Sequence, residues 1–160
     1  MLGSMFLFRE VELAGTMTGH ITLDHCTKEV TWKLASSKTD FMALGTSRTW
    51  GCLCGVGTLP CPYHLAAAVL RTAAARAPDG ITADELARLP LFPTLGGLVP
   101  TKAKMVATFE HYAVLTGERL VNATGLRVFG GHTLRVTGAQ ALAAHGIDVA
   151  KIKIMARHGV

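Results

Sequence analysis

The clearest pattern along the chain is an alternation between residues 20 and 34. Ile21, Leu23, Val30, Trp32 and Leu34 are apolar among polar neighbours, and Asp24-His25-Cys26-Thr27-Lys28 interrupts them with turn-forming types. Such a pattern predicts a β-hairpin. A second polar turn, Ser36-Ser37-Lys38-Thr39-Asp40, leads to a third short extended piece at 47–50. Residues 5–13 alternate too little for a strand and predict the end of a buried helix.

After a Gly/Pro/Cys-rich loop at 51–62 the periodicity becomes helical. The alanine-rich stretch 63–76 predicts a helix that Pro78-Asp79-Gly80 stops. Thr82 with Glu85 makes a capping box that opens a short helix over 82–89. Residues 90–100, with three prolines and two glycines, read as a loop. A helix follows over 101–116, with Val106, Phe109, Ala113 and Leu115 among its apolar positions. Gly130-Gly131 precedes another over 132–144, Gly146 breaks it, and Asp148 caps a last one to 157. The expected class is α+β, mainly α, with helices around a small antiparallel sheet.

Composition narrows the classes further. Apolar residues make up 49% of the 160 and charged ones only 17%, which argues against disorder. A mean hydropathy of +0.34 raises the question of a membrane span. No apolar run approaches the roughly 18–20 residues that a span needs, because Arg71 and Arg76 interrupt the best candidate. Residues 1–7 lack a basic start, and Arg9, Glu10 and Glu12 come too early for a signal peptide. An intracellular protein is expected, nuclear if eukaryotic, with no membrane partner. Its four cysteines should then be free or metal-bound. The net charge of +5 permits a polyanionic partner without singling one out.

Three stretches near the end carry the most specific signal: Gly131-His132-Thr133-Leu134-Arg135, then Ala143-Ala144-His145-Gly146-Ile147-Asp148, then Ala156-Arg157-His158-Gly159. A His and an Arg three residues apart share one helix face, so both can point at one phosphate. The Gly-Ile-Asp break then turns the chain so that the next helix can deliver His158 to the same place. This segment resembles the H-x-L-R … G-I/V-D … L/A-x-H-G/S core of the tyrosine recombinases, the phage-integrase family. Upstream, Arg9-Glu10-Val11-Glu12-Leu13 is similar to that family's R-x-x-E-L motif, which carries the first active-site arginine at a helix end. In the family a small antiparallel sheet follows, and its β-turn presents a catalytic lysine. Here the second predicted turn contains Ser37-Lys38-Thr39. Lys28, in the first turn, and Lys33, within a strand, fit that place less well than Lys38.

The resemblance implies a single, partial catalytic domain over 1–160, of mobile-element type, that acts on double-stranded DNA, usually as several copies on paired sites. Cleaving a phosphodiester concentrates negative charge on the non-bridging oxygens of a five-coordinate phosphorus. Guanidiniums, always charged and donating in a planar fork, suit that task. Arg9 and Arg135 are the implied clamp. Lys38 would protonate the leaving 5′ oxygen, His132 would assist proton transfer at the nucleophile, and His158 would hydrogen-bond the phosphate. In the family a tyrosine attacks phosphorus to give a 3′-phosphotyrosine, which conserves the bond energy for rejoining with no catalytic cofactor. That tyrosine lies about nine residues past the position matched by His158, beyond Val160. Neither Tyr63 nor Tyr112 has that place, so the expectation is a fragment that lacks its nucleophile.

A second candidate site is C-x-C-x6-C-x2-H, formed by Cys52, Cys54, Cys61 and His64 in the loop at 51–64. Three thiolates and an imidazole can complete a tetrahedral zinc site, with Gly51, Gly55 and Gly57 lending the close-spaced pair its freedom. Zinc here would be structural, stapling the sheet to the following helix. Buried cysteines beside a helix-start histidine would give the same spacing. Taken alone, H-x-L-R also fits a capping histidine and a surface arginine. Two other functions therefore stay open: a non-catalytic DNA-binding remnant of an integrase, and a zinc-stabilised interaction module in which the motif match is accidental.

Overall fold

A computed structural model describes residues 1–34, 46–55 and 60–156. Those residues form a mainly helical α+β chain with one small antiparallel sheet. They gather into two compact units. One holds Gly3–Ala14 and the chain from Pro100 onward; the other holds the described part of Gly15–Val99. Among the described residues no helix is long and apolar enough to cross a membrane.

The second unit is built on the sheet. Strands β1 (Ile21–Asp24), β2 (Glu29–Leu34) and β3 (Thr46–Gly51) lie in the order β1-β2-β3, all antiparallel. Ile21 pairs with Trp32 and Leu23 with Val30, as the alternation predicts. The Asp24 carboxylate accepts the Cys26 and Thr27 N–H groups, closing the turn. Val30, Trp32 and Leu34 are buried on one face, together with Ile21 and Arg48. Helix α3 (Pro62–Ala75) packs across all three strands. Proline is tolerated at its first position because that N–H has no helical partner in any case. Helix α4 (Ala83–Ala87) opens with the expected capping box: Glu85 N–H donates to Thr82 Oγ1 and Thr82 N–H to the Glu85 carboxylate.

In the first unit the expected single helix end at 5–13 is instead two short helices, α1 (Leu2–Met5) and α2 (Glu10–Ala14). Between them Leu7 takes φ 54, a conformation that costs a non-glycine residue about 1–2 kcal/mol. The Phe8 N–H donates to Gly3 C=O and the Leu7 N–H to Ser4 C=O. These are the two bonds of a Schellman reversal, with leucine where glycine is usual. Burial of Leu7 and Phe8, both fully enclosed, opposes that cost.

Helix α5 (Lys102–Leu115), capped by Thr101, packs against α2. Helix α6 (Thr133–Ala144) packs on α7 (Val149–Ala156), with Gly146 at φ 78 between them and the Asp148 side chain accepting the Ala150 N–H. The approach of α6 to α1 depends on Gly138. A Cβ there would lie 1.9 Å from the Ser4 carbonyl oxygen. Helix propensity alone makes Gly138→Ala a gain of about 1 kcal/mol. The clash with backbone makes it a net loss of about 2 kcal/mol or more. Urea denaturation decides between the two signs, with Gly96→Ala, where a Cβ meets nothing nearer than 4.0 Å, expected to change stability by less than about 1 kcal/mol.

Candidate phosphate site and metal centre

The R-x-x-E spacing has a local physical cause. Arg9 immediately precedes α2, its C=O accepting the first helical bonds from Glu12 and Leu13. Glu12, three residues on, reaches back so that its Oε2 accepts the Arg9 N–H at 2.8 Å. That is the carboxylate half of a capping box. The same Oε2 accepts from Arg135 Nη2 at 3.1 Å. Arg135 Nε donates in turn to the Leu7 C=O at 2.9 Å, the carbonyl of the left-handed residue. Two bonds to partners on different segments fix the plane of the guanidinium. One carboxylate oxygen thus joins positions 9 and 135.

The ion pair is buried, with side-chain exposures of 5% for Arg135 and 4% for Glu12. Arg135 is therefore not the surface arginine that its motif alone also allows. Arg9 is half-buried, and its Nε is enclosed without a hydrogen-bond partner among the described residues.

His132 lies just outside α6, at its N-cap, with an exposed side chain. Its C=O accepts the Val136 N–H, the first bond of the helix, and its side chain is exposed where that of Arg135, three residues on, is buried. Its neighbour Gly131 seats the start of α6 on α2: a Cβ at 131 would come 2.6 Å from Glu10 Oε1 and 3.0 Å from Lys102 Nζ. Glu10 is 3% exposed and pairs with Lys102 at 3.4 Å. Neither partnership has a local sequence signal, since Lys102 is distant in the chain and reads as one of several solvated lysines. Lys38 and His158 lie outside the described residues. Tyr63 is buried with its hydroxyl 2.7 Å from His25 Nδ1, and Tyr112 is exposed on α5.

In the sheet unit, Cys52, Cys54, Cys61 and His64 converge, with one ligand atom from each lying within 4.8 Å of the others. His64 Nδ1 is 3.2 Å from both Cys54 Sγ and Cys61 Sγ and 3.8 Å from Cys52 Sγ. Cys52 and Cys61 sulfurs are 3.6 Å apart, and the Leu53 N–H donates to Cys61 Sγ. Burial works to raise the Cys61 thiol. Hydrogen bonds from the His64 and Leu53 N–H groups and from the His64 and Cys52 side chains outweigh it and bring the thiol down to about 6. Cys54, hydrogen-bonded to Cys52 and Cys61, is pushed up to about 11. This Cys3His group is one that can hold a metal ion.

No family model matches the chain, and no curated protein matches it. Among solved structures its fold is similar to that of XerH, a site-specific recombinase crystallised with its difH substrate in a pre-cleavage complex. The TM-score is 0.65 over 99% of this chain, at 16% sequence identity. This chain spans 38% of the length of that recombinase. At such an identity the likeness is one of fold.

The shared carboxylate makes Glu12 the sensitive position. Glu12→Ala leaves a buried guanidinium uncompensated and is expected to cost about 3–5 kcal/mol. Glu12→Gln keeps an acceptor of the same reach and should cost clearly less. Denaturant titration of both variants checks this. A Glu12→Ala protein within about 1 kcal/mol of the parent would mean that Arg135 is not held as described.

Proposed function

We propose that the chain is catalytic-domain material of a DNA breaking and rejoining enzyme of the tyrosine-recombinase type, with Arg9 and Arg135 as its phosphate clamp. The observation that carries this reading is the meeting of the Arg9 main-chain N–H and the Arg135 guanidinium on Glu12 Oε2, with the Arg9 side-chain Nε enclosed and without a hydrogen-bond partner among the described residues. An enclosed donor on a guanidinium is a place for an anionic oxygen, since such groups are otherwise satisfied in folded proteins. The fold shared with a site-specific recombinase supports the same reading.

On this reading duplex DNA is the partner, held by more than one copy of the protein. The two guanidiniums stabilise charge as it builds on the scissile phosphate. Lys38 gives a proton to the leaving 5′ oxygen, His132 handles the proton of the attacking hydroxyl, and His158 donates to a non-bridging oxygen. The nucleophile is a tyrosine hydroxyl, and attack forms the phosphotyrosyl bond as the 5′ oxygen departs. Tyr63 is unsuited to that part because it is buried and stands before H-x-x-R in the chain, not in the family's position past His158. No step runs through a metal.

Covalent trapping tests the proposal. Protein expressed from the complete coding sequence is incubated with nicked duplexes drawn from the DNA flanking its gene. The expected product is an adduct that survives detergent, is lost on proteolysis, and maps to a tyrosine. At a temperature where circular dichroism shows the destabilised Arg135→Ala protein still folded, that variant should lower the yield by roughly 100-fold or more, while retention of duplex on a gel changes only a few-fold. Retention without any adduct would favour a non-catalytic DNA-binding remnant. Failure of both would end the DNA reading.

A further inference from the structure

We propose that Cys52, Cys54, Cys61 and His64 bind one zinc ion tetrahedrally, His64 through Nδ1, and that the ion clasps the end of β3 to the start of α3. The geometry of the four atoms carries this. Tetrahedral zinc with bonds of about 2.3 Å to sulfur and 2.0–2.1 Å to nitrogen puts sulfurs about 3.8 Å apart and sulfur and nitrogen about 3.6 Å apart. The protein has 3.6 Å between Cys52 and Cys61 sulfurs, and 3.2, 3.2 and 3.8 Å from His64 Nδ1 to the three sulfurs. One imidazole nitrogen makes a single good hydrogen bond and thiols attract one another weakly, so hydrogen bonding alone accounts poorly for three sulfurs gathered around Nδ1 at these separations.

Donor chemistry selects the metal. Soft thiolates with one imidazole in a tetrahedral set favour zinc over the harder divalent ions. With four protein ligands there is no open position, so the ion is structural. The Leu53 N–H on Cys61 Sγ offsets part of the excess negative charge of three thiolates.

The elements that the ion joins define its role. Cys52 follows the last residue of β3, Cys61 precedes α3, and His64 is in the first turn of that helix. Between Cys61 and His64 sits Tyr63, buried, with its ring against His64 at 5.1 Å and its hydroxyl on His25 in the β1–β2 turn. Fixing the helix start therefore also fixes the hydrogen bond that ties α3 to the β1–β2 turn, at the same end of the sheet as Cys52. The clasp closes the β3–α3 connection and, through Tyr63, reaches the β1–β2 turn of the same sheet unit; it is independent of the DNA proposal.

The 160-residue chain, purified under reducing conditions, is expected to carry about one zinc per molecule by elemental mass spectrometry. Replacement with cobalt(II) should give the intense visible bands of tetrahedral thiolate coordination, and imidazole nitrogen shifts should report ligation through Nδ1. Cys54→Ser should weaken binding by about 100-fold or more, and stripping the metal should change the Trp32 and Trp50 fluorescence of the sheet. Should Cys54→Ser fail to fold, His64→Cys provides the second arm, expected to fold and to keep one zinc. Tyr63→Phe should retain the metal while losing stability. Metal-free protein whose melting responds to neither zinc nor chelator would overturn the proposal, as would a Cys52–Cys61 disulfide in the reduced preparation, an iron centre, or ligation through Nε2. The DNA-trapping result has no bearing on any of these.

Discussion

The Arg135 guanidinium is the constraint around which the first unit is arranged. Its Nε must reach the Leu7 carbonyl, and its Nη2 must reach Glu12, from a helix that starts 119 residues after α2 ends. Three features make this possible. Leu7 adopts a left-handed conformation that ends α1. Glu12 stands one turn into α2, where capping the Arg9 N–H already fixes its side chain. Gly138, one turn beyond Arg135, lets α6 approach the Ser4 carbonyl more closely than any side chain allows. Each feature looks local, yet all three are explained by one planar fork.

What was legible in the sequence follows from which interactions are short in range. The hairpin could be read because side chains alternate across a strand, and the Thr82–Glu85 box because its two partners are three residues apart. The candidate residues could be listed in order from their motifs, but the partnerships of Arg9, Glu12 and Arg135 could not. Met5-Phe6-Leu7-Phe8 is uniformly apolar, with no glycine or asparagine to mark the break that Leu7 makes. The three-residue spacing of His132 and Arg135 said nothing of their different surroundings, one exposed at the N-cap and the other buried on Glu12. The stretch after α5 has no periodicity at all. Its order comes from Asn122 Oδ1 accepting three donors in a turn, and from Arg127 bonding to Glu110.

The cysteine group shows the same division. Its residue types and spacing were visible in the sequence, because two ligands flank a strand end and two a helix start. The Tyr63–His25 bond was not, since 38 residues separate its partners and each is ordinary in its own surroundings. Tyr63 sits between two ligands, so a single helical turn serves both the metal group and the hairpin.

A buried ion pair is poorly explained by stability, because apolar residues of similar volume often do as well or better. It is better explained by orientation, which a guanidinium needs if it is to meet a phosphate without first reorganising. The charges around α2 fit that explanation. Arg9, Lys102 and Arg135 are opposed by Glu10 and Glu12, three cations against two carboxylates, which leaves one positive charge. Among the described residues Glu10 and Glu12 answer Lys102 and Arg135, so the remainder falls on Arg9, whose Nε is enclosed and has no hydrogen-bond partner among them. A phosphodiester carries a single negative charge. On the recombinase reading it is the group that balances this cluster, and Glu12 is what keeps Arg135 in place until that group arrives.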